Sequence, residues 1–268
     1  IIAGVFSICA ILCYIVCFKL TRERVEVPAS SQKVSASAIF KSIFTNRALL
    51  GIIVAAIFVL LSQLTVMSLA GYVYPNVYGS AAAQSTASLL GTVVMLIVCA
   101  PFASKLAAKF GKKELAVASS ICSALVWLVC LIWRPASVWG FVACYILANI
   151  GMGFFNTIIW AMITDVIDDA EVRSGIREDG TIYSVYSFAR KLGQAFSSGL
   201  VGALLGIIGY TEATAFDPAV TRGIFNMACI APIIGFVCIV LALVFLYPLN
   251  KKKVEENVAA LAARRNSK

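Results

Sequence analysis

Apolar residues along this chain fall into long blocks separated by short polar stretches. The blocks are Ile1–Phe18, Leu49–Ala70, Ala81–Phe102, Leu115–Trp133, Val138–Ile163, Thr181–Ile208 and Gly223–Tyr247. A helix needs about 20 mostly apolar residues to cross a hydrocarbon layer about 30 Å thick, and each block approaches that length. The pattern predicts seven membrane helices, an odd number, with ends within about four residues of these limits.

The polar stretches carry their own signals. Lys19 to Asn46 contains Pro28, Ser30, Ser31, Ser35 and Ser37, the composition of a linker. The other connections are short. Arg134–Ser137 is flanked by Trp133 and Trp139, and Gly71–Ser80 holds Tyr72, Tyr74 and Tyr78, as aromatic residues at a membrane interface do. The tail from Lys251 is charged, with a weak helical pattern. The first block begins apolar at Ile1, without Met, a basic leader or a small-residue cleavage site. It is read as the remainder of a helix in a longer protein.

Composition agrees with the pattern. Hydrophobic residues make up 61% of the 268 positions and charged residues only 13%, against about 25% charged in soluble domains. The net charge of +9 is read through topology and not as nucleic-acid binding. If Lys19–Arg47 is cytoplasmic, alternating crossings put Lys105–Lys113, Arg173–Lys191 and the tail on the same side. Those regions hold 20 of the 22 Lys and Arg, leaving only Arg134 and Arg222 opposite. Basic residues concentrate in cytoplasmic loops, so orientation and helix count support each other. The nine cysteines all lie in apolar blocks, form no CxxC pair and have no His to join them. They are read as small packing residues and not as metal ligands.

One helix, a long linker and six further helices fit a protein of two six-helix halves. Transporters of the major facilitator architecture are built that way. The predicted fold is therefore an all-α membrane protein. Residues 1–20 are read as the last helix of an N-terminal bundle and 21–46 as a cytoplasmic linker. Residues 47–250 form the C-terminal six-helix transmembrane bundle, and 251–268 the cytoplasmic tail.

Ionisable side chains at membrane depth are costly and mark function. All 13 carboxylates lie in loops or at helix ends, leaving Arg190 and Lys191 as the deep charges. Lys191 lies ten residues past Thr181, about 15 Å along the helix axis, too deep for easy snorkelling. Helical spacing puts Tyr183, Ser187, Lys191, Gln194 and Ser198 on one stripe. Hydroxyls, an amide and an ammonium on one face suit a polyhydroxylated ligand, although such residues also bond membrane helices to one another. Gly193, Gly199, Gly202, Gly206 and Gly209 are assigned to helix packing. The preceding helix offers Asn149, Gly153, Asn156 and Trp160, whose ring can stack on a sugar or anchor the helix at an interface; Gln63 is a further candidate. Between the two helices lies a dense mixed-charge run. Asp165, Asp168 and Glu171 recur every three residues, and Arg173 and Arg177 follow. It is read as a solvated loop or as a gate whose ion pairs break and form during transport.

The stretch from Asn156 to Tyr210 resembles the glycoside-pentoside-hexuronide:cation symporter family, which includes the melibiose and glucuronide carriers. The matching pieces are Trp160, the D-x-x-D-x-x-E run at Asp165, Asp168 and Glu171, and Gly175-x-Arg177-x-x-Gly180. Tyr183-Ser184, Lys191-x-Gly193 and Gly206-x-x-Gly209-Tyr210 follow. The run from Ser187 to Ala195 is most similar to the glucuronide-carrier branch, and Lys19–Val25 also resembles the family. Two departures stand out. Asp169-Ala170 replaces a common Tyr-Gly, and the Ala108–Lys113 loop has Ala where the major-facilitator loop motif often has a carboxylate.

The resemblance implies cation-coupled symport of a sugar or glycoside, such as a glucuronide, by alternating access. It puts Trp160 and Lys191 at the sugar cavity with Tyr186 and Ser187 near it, beside the stripe residues Tyr183, Gln194 and Asn156. It puts Asp165, Asp168, Arg177 and Asp179 at a cytoplasmic gate. No cofactor is implied beyond a coupling Na+ or H+, held mostly by the N-terminal half. The implied partners are a small sugar or glycoside, a monovalent cation and the lipid bilayer, not nucleic acid, with a monomer as the working unit. The implied location is multi-pass, in a bacterial cytoplasmic (inner) membrane. A non-transporting sensor or scaffold on the same fold is the alternative. An intramembrane aspartyl enzyme would need Asp165 and Asp168 to share a proton, which their place three residues apart at one helix end does not favour. No GxxxxGK[ST] run offers ATP-driven transport.

Overall fold

A computed structural model describes residues 2–21 and 46–266. The chain divides into two compact units, Ile1–Ala38 and Ile39–Lys268. Apart from its ends, the expected linker lies outside the described residues, as does the end of the tail beyond residue 266. In the first unit, α1 (Ile2–Leu20) is apolar throughout, reaches Lys19 in its last turn, and buries none of its residues.

The second unit is helical, with no strand among the described residues. Helix α2 (Arg47–Tyr72) starts on Asn46, whose side chain accepts hydrogen bonds from the Ala48 and Leu49 amides, satisfying two donors the helix itself cannot. A π-turn extends it to Val77. Helices α3 (Ala81–Val94) and α4 (Ala100–Phe110) are joined by a second π-turn into one span. Gly111, with φ +107°, breaks the chain into α5 (Lys112–Trp133). Helix α6 (Val138–Ser174) is capped by Ser137 and closed by Gly175 in the left-handed conformation. Helix α7 (Asp179–Ile207) follows, then α8 (Pro218–Leu241), which a π-turn prolongs to Leu246, and α9 (Lys251–Asn266).

Among the described residues every apolar block is thus helical, but four ends overrun the sequence reading. Helix α6 runs eleven residues past Ile163, α4 runs eight past Phe102, the π-turn carries α2 seven past Ala70, and α8 starts five before Gly223. The cause is the same in each case: a helix need not stop where its apolar residues do. The 37 residues of α6 span about 55 Å, so its charged turns project beyond any hydrocarbon layer. Among the described residues, six helical spans are long and apolar enough to cross a membrane, and α7 is not among them. Its 29 residues suffice in length, but Arg190, Lys191, Gln194 and several serines dilute its apolarity.

Helix α2 is the hub, packed on α7 and α8, while α5 packs on α6 and α8, and α3 on α6. Close approach rests on small residues. A Cβ on Gly193 of α7 would sit 2.8 Å from the Ile57 carbonyl of α2, and one on Gly235 of α8 would overlap Ser62. The packing role expected of Gly199, Gly202, Gly206 and Gly209 is not met among the described residues, where a Cβ on any of them meets nothing within 4 Å. The cysteines also divide. Cys99, Cys130, Cys144 and Cys229 are buried in the packing, whereas Cys9, Cys13, Cys17 and Cys122 are exposed.

Candidate functional site

Helices α6 and α7 touch only lightly, and the deep polar residues gather where they meet. Tyr186 is fully buried because it lies on the face of α7 turned to the bundle, with Ile182, Ala189, Gly193 and Ser197. One turn on, Arg190 leans back across α6. Its guanidinium carbon is 5.2 Å from the centre of the Trp160 ring, and its Nη1 donates to the Tyr186 hydroxyl at 3.3 Å. Trp160 and Tyr186 meet edge to face at 5.6 Å. A guanidinium over an indole is held by the ring quadrupole, so the three side chains fix one another. Trp160 remains 48% exposed, leaving ring surface open.

The neighbouring stripe faces outward. Tyr183, Ser187, Lys191 and Ser198 are exposed and Gln194 half-buried; Lys191 Nζ donates to the Gln194 amide oxygen at 3.2 Å. One turn before Trp160, Asn156 donates to the Gln63 amide oxygen of α2 at 3.4 Å, tying Gln63 to the same face. The α6 stripe itself splits. Gly153 is buried against Cys99 and Met95, and Asn149 turns back to the Tyr145 carbonyl. The structure thus brings Trp160 together with Arg190 and Tyr186, where the sequence reading paired it with Lys191. Arg190 lies four residues after Tyr186, which puts it on the side of α7 that meets α6.

At the charged end the mixed run forms three ion-pair groups. Arg177 Nη1 binds Asp168 at 2.9 Å and Glu171 at 2.8 Å, and its Nε binds Asp179 at 2.8 Å. Burial opposes the charge on Arg177, but its hydrogen bonds to Glu171, Asp168 and Asp179 outweigh that and hold its pKa above the ordinary arginine value. The expected foursome loses a member here. Buried Asp165 does not meet Arg177 but pairs with Lys112 of α5 at 2.6 Å. Residues three apart on a helix diverge by about 60°, so Asp165 faces α5 while Glu171 faces the tail. Asp169, next to the site of the unusual Ala170, pairs with Arg173 and accepts from buried Asn257 of α9 at 3.0 Å. Arg264 of α9 donates to the Glu171 and Val172 carbonyls. Carboxylates at a helix C-terminus oppose the helix dipole, and these cations offset that. The Lys112–Asp165 bond also gives the Ala108–Lys113 loop a charge link to α6, despite the missing carboxylate in the loop itself.

Over residues 1–251 the chain matches the family described as MFS/sugar transport protein. It belongs to that family. Among curated relatives, it is 28% identical to the glucuronide carrier protein homolog of Escherichia coli (strain K12), over 97% of this chain and 56% of the relative. It is 27% identical to a candidate sulfoquinovose importer of Salmonella typhimurium (strain LT2), over 99% of this chain and 56% of the relative. Over 38% of this chain and 23% of the relative it is 34% identical to YagG, a candidate glycoside/cation symporter of Escherichia coli (strain K12). The chain spans about half the length of the first two. These matches bear out the resemblance to the glycoside-pentoside-hexuronide:cation symporters. They also place the chain among carriers and not enzymes, which agrees with Asp165 and Asp168 each being paired to a different cation.

Proposed function

We propose that this MFS family chain is the C-terminal half of a secondary carrier that moves a sugar or glycoside bearing an acidic group, together with Na+ or H+. The observation that carries this reading is the cationic aromatic face between α6 and α7. Trp160 offers a ring for the apolar side of a sugar. Arg190 and Lys191 offer two cations from adjacent residues, and Ser187, Tyr183, Gln194, Asn156 and Gln63 offer hydrogen-bonding groups. Glucuronides and sulfoquinovose, which the names of two relatives mention, are both sugars with an acid group, and the pair of cations suits such a ligand. In this reading the exposed stripe of α7 lines the sugar cavity, and the coupling cation is held mostly by residues of the amino-terminal half. The charged end is the cytoplasmic gate, with Asp168, Arg177 and Asp179 as its centre and Asp165 as the link to Lys112. The membrane is a bacterial inner membrane, and the carrier works as a monomer. A sensor or scaffold on the same fold would have no use for a cation stacked on a half-exposed indole ring.

The test is uptake of a radiolabelled glucuronide by cells producing the two-bundle carrier. Trp160→Ala should reduce uptake at low substrate concentration at least tenfold, the order of ~1.4 kcal/mol or more for losing a stacking partner. Unchanged uptake at equal membrane abundance would reject this face as the sugar site.

A further inference from the structure

A polar cavity lies away from the sugar face, at the charged end of the bundle. It encloses about 530 Å³ between the start of α2, the end of α6 and the turn into α9. Four cations line it, Arg47, Arg173, Lys252 and Lys253, against two carboxylates, Asp169 and Glu256. Arg173 pairs with Asp169 and Lys253 with Glu256. That leaves Arg47 and Lys252, which have no carboxylate partner among the described residues; Arg47 instead donates to the Phe245 carbonyl at 3.0 Å. The cavity therefore carries an excess of two positive charges, and its remaining walls include apolar Val172, Pro248 and Leu249.

Its position narrows the ligand. Phe245, Val244 and Leu241, on the last turns of α8, are exposed apolar side chains, and Arg47 is bonded to the backbone of the first of them. The cavity thus opens where a surface suited to acyl chains gives way to charge. Basic pockets of this kind at the ends of membrane helices bind anionic headgroups. A free nucleotide or inorganic phosphate would use the cations but not the apolar margin.

We propose that Arg47 and Lys252, which line this cavity, hold the phosphate of an anionic phospholipid whose acyl chains lie along Leu241, Val244 and Phe245. The site is independent of the sugar reading. It clamps the start of α2 to the turn into α9, so a bound lipid would also brace α9 against α6.

The test is native mass spectrometry of the full chain, purified in detergent and exchanged into micelles containing phosphatidylglycerol, phosphatidylcholine or inorganic phosphate. One phosphatidylglycerol should be retained under activation that strips phosphatidylcholine. Arg47→Gln with Lys252→Gln should weaken that retention about fivefold for each cation removed. Lys105→Gln, which removes an exposed cation of α4 outside the cavity, should leave it unchanged. A circular-dichroism melt checks folding, and Lys252→Gln alone serves the comparison if the double variant misfolds. Equal retention of the two lipids, or equal retention by variant and wild type, would overturn the proposal. So would phosphate binding without a preference between the lipids, which would mark a free-phosphate site.

Discussion

At the residue scale, two adjacent cations on α7 have different surroundings. Arg190 is half-buried on Trp160 and Tyr186, while Lys191 is exposed and touches Gln194. Sequence spacing found the exposed stripe containing Lys191, Ser187 and Tyr183, because a period of 3.6 separates faces well. It could not tell which face meets α6. Residues 190 and 191 are both basic and only about 100° apart, and the choice depends on how α7 rolls against α2. Gly193 sets that roll by admitting the Ile57 carbonyl. If Arg190 and Trp160 form a unit, Arg190→Gln and Trp160→Leu should be coupled in a double-mutant cycle of thermal unfolding by about 0.5–2 kcal/mol. Strictly additive losses would show that the stacking contributes nothing.

At the element scale, α6 and α7 carry both the cationic face and the proposed gate, with Trp160 five residues before Asp165, about 7.5 Å along the axis. The two sites can communicate through one rigid helix. Arg177 joins the end of α6 to the start of α7 through Asp168, Glu171 and Asp179. Arg177→Ala should therefore slow transport more than it weakens sugar binding; equal losses in flux and binding assays would count against a gate. The density of charge in this segment was legible in the sequence. The separate pairing of Asp165 with Lys112 was not, since it depends on how α5 packs beside α6. Lys112→Met strands a buried carboxylate and should cost about 1–3 kcal/mol, read as a lowered unfolding midpoint. Adding Asp165→Asn should recover part of it, and no recovery would mean that Lys112 acts by another route. The same packing logic separates the glycines of α7. Gly193→Val should destabilise by about 1–3 kcal/mol through overpacking against α2, whereas Gly202→Val, into open space, should leave the midpoint nearly unchanged.

At the scale of the whole molecule, the position of each apolar helix among the described residues was legible because each must supply its own apolar length, and loops mark the gaps. The overrun of α6 and the docking of α9 on it were not, since both depend on ion pairs between distant segments. Helix α7 is the one whose crossing most needs a test, because its polar face keeps it out of the set of spans apolar enough to cross. Alkaline phosphatase fused after Ala136 or Asp217 should be active outside the cytoplasm, and fusions after Gly111, Gly175 or Asn250 should be inactive. Equal activity after Gly175 and Asp217 would mean that α7 does not cross. Crossing matters because it brings Lys191 to mid-membrane depth, where a cation needs an aqueous cavity or an anionic ligand. The most direct measurement is calorimetric titration of a glucuronide into the purified two-bundle carrier, comparing wild type with Lys191→Ala at matched melting temperature. Losing one charge-assisted hydrogen bond, about 1.5–3 kcal/mol, predicts roughly ten- to hundredfold weaker binding. An affinity equal to wild type in the folded Lys191→Ala protein would contradict the assignment of this face of α7 to the sugar.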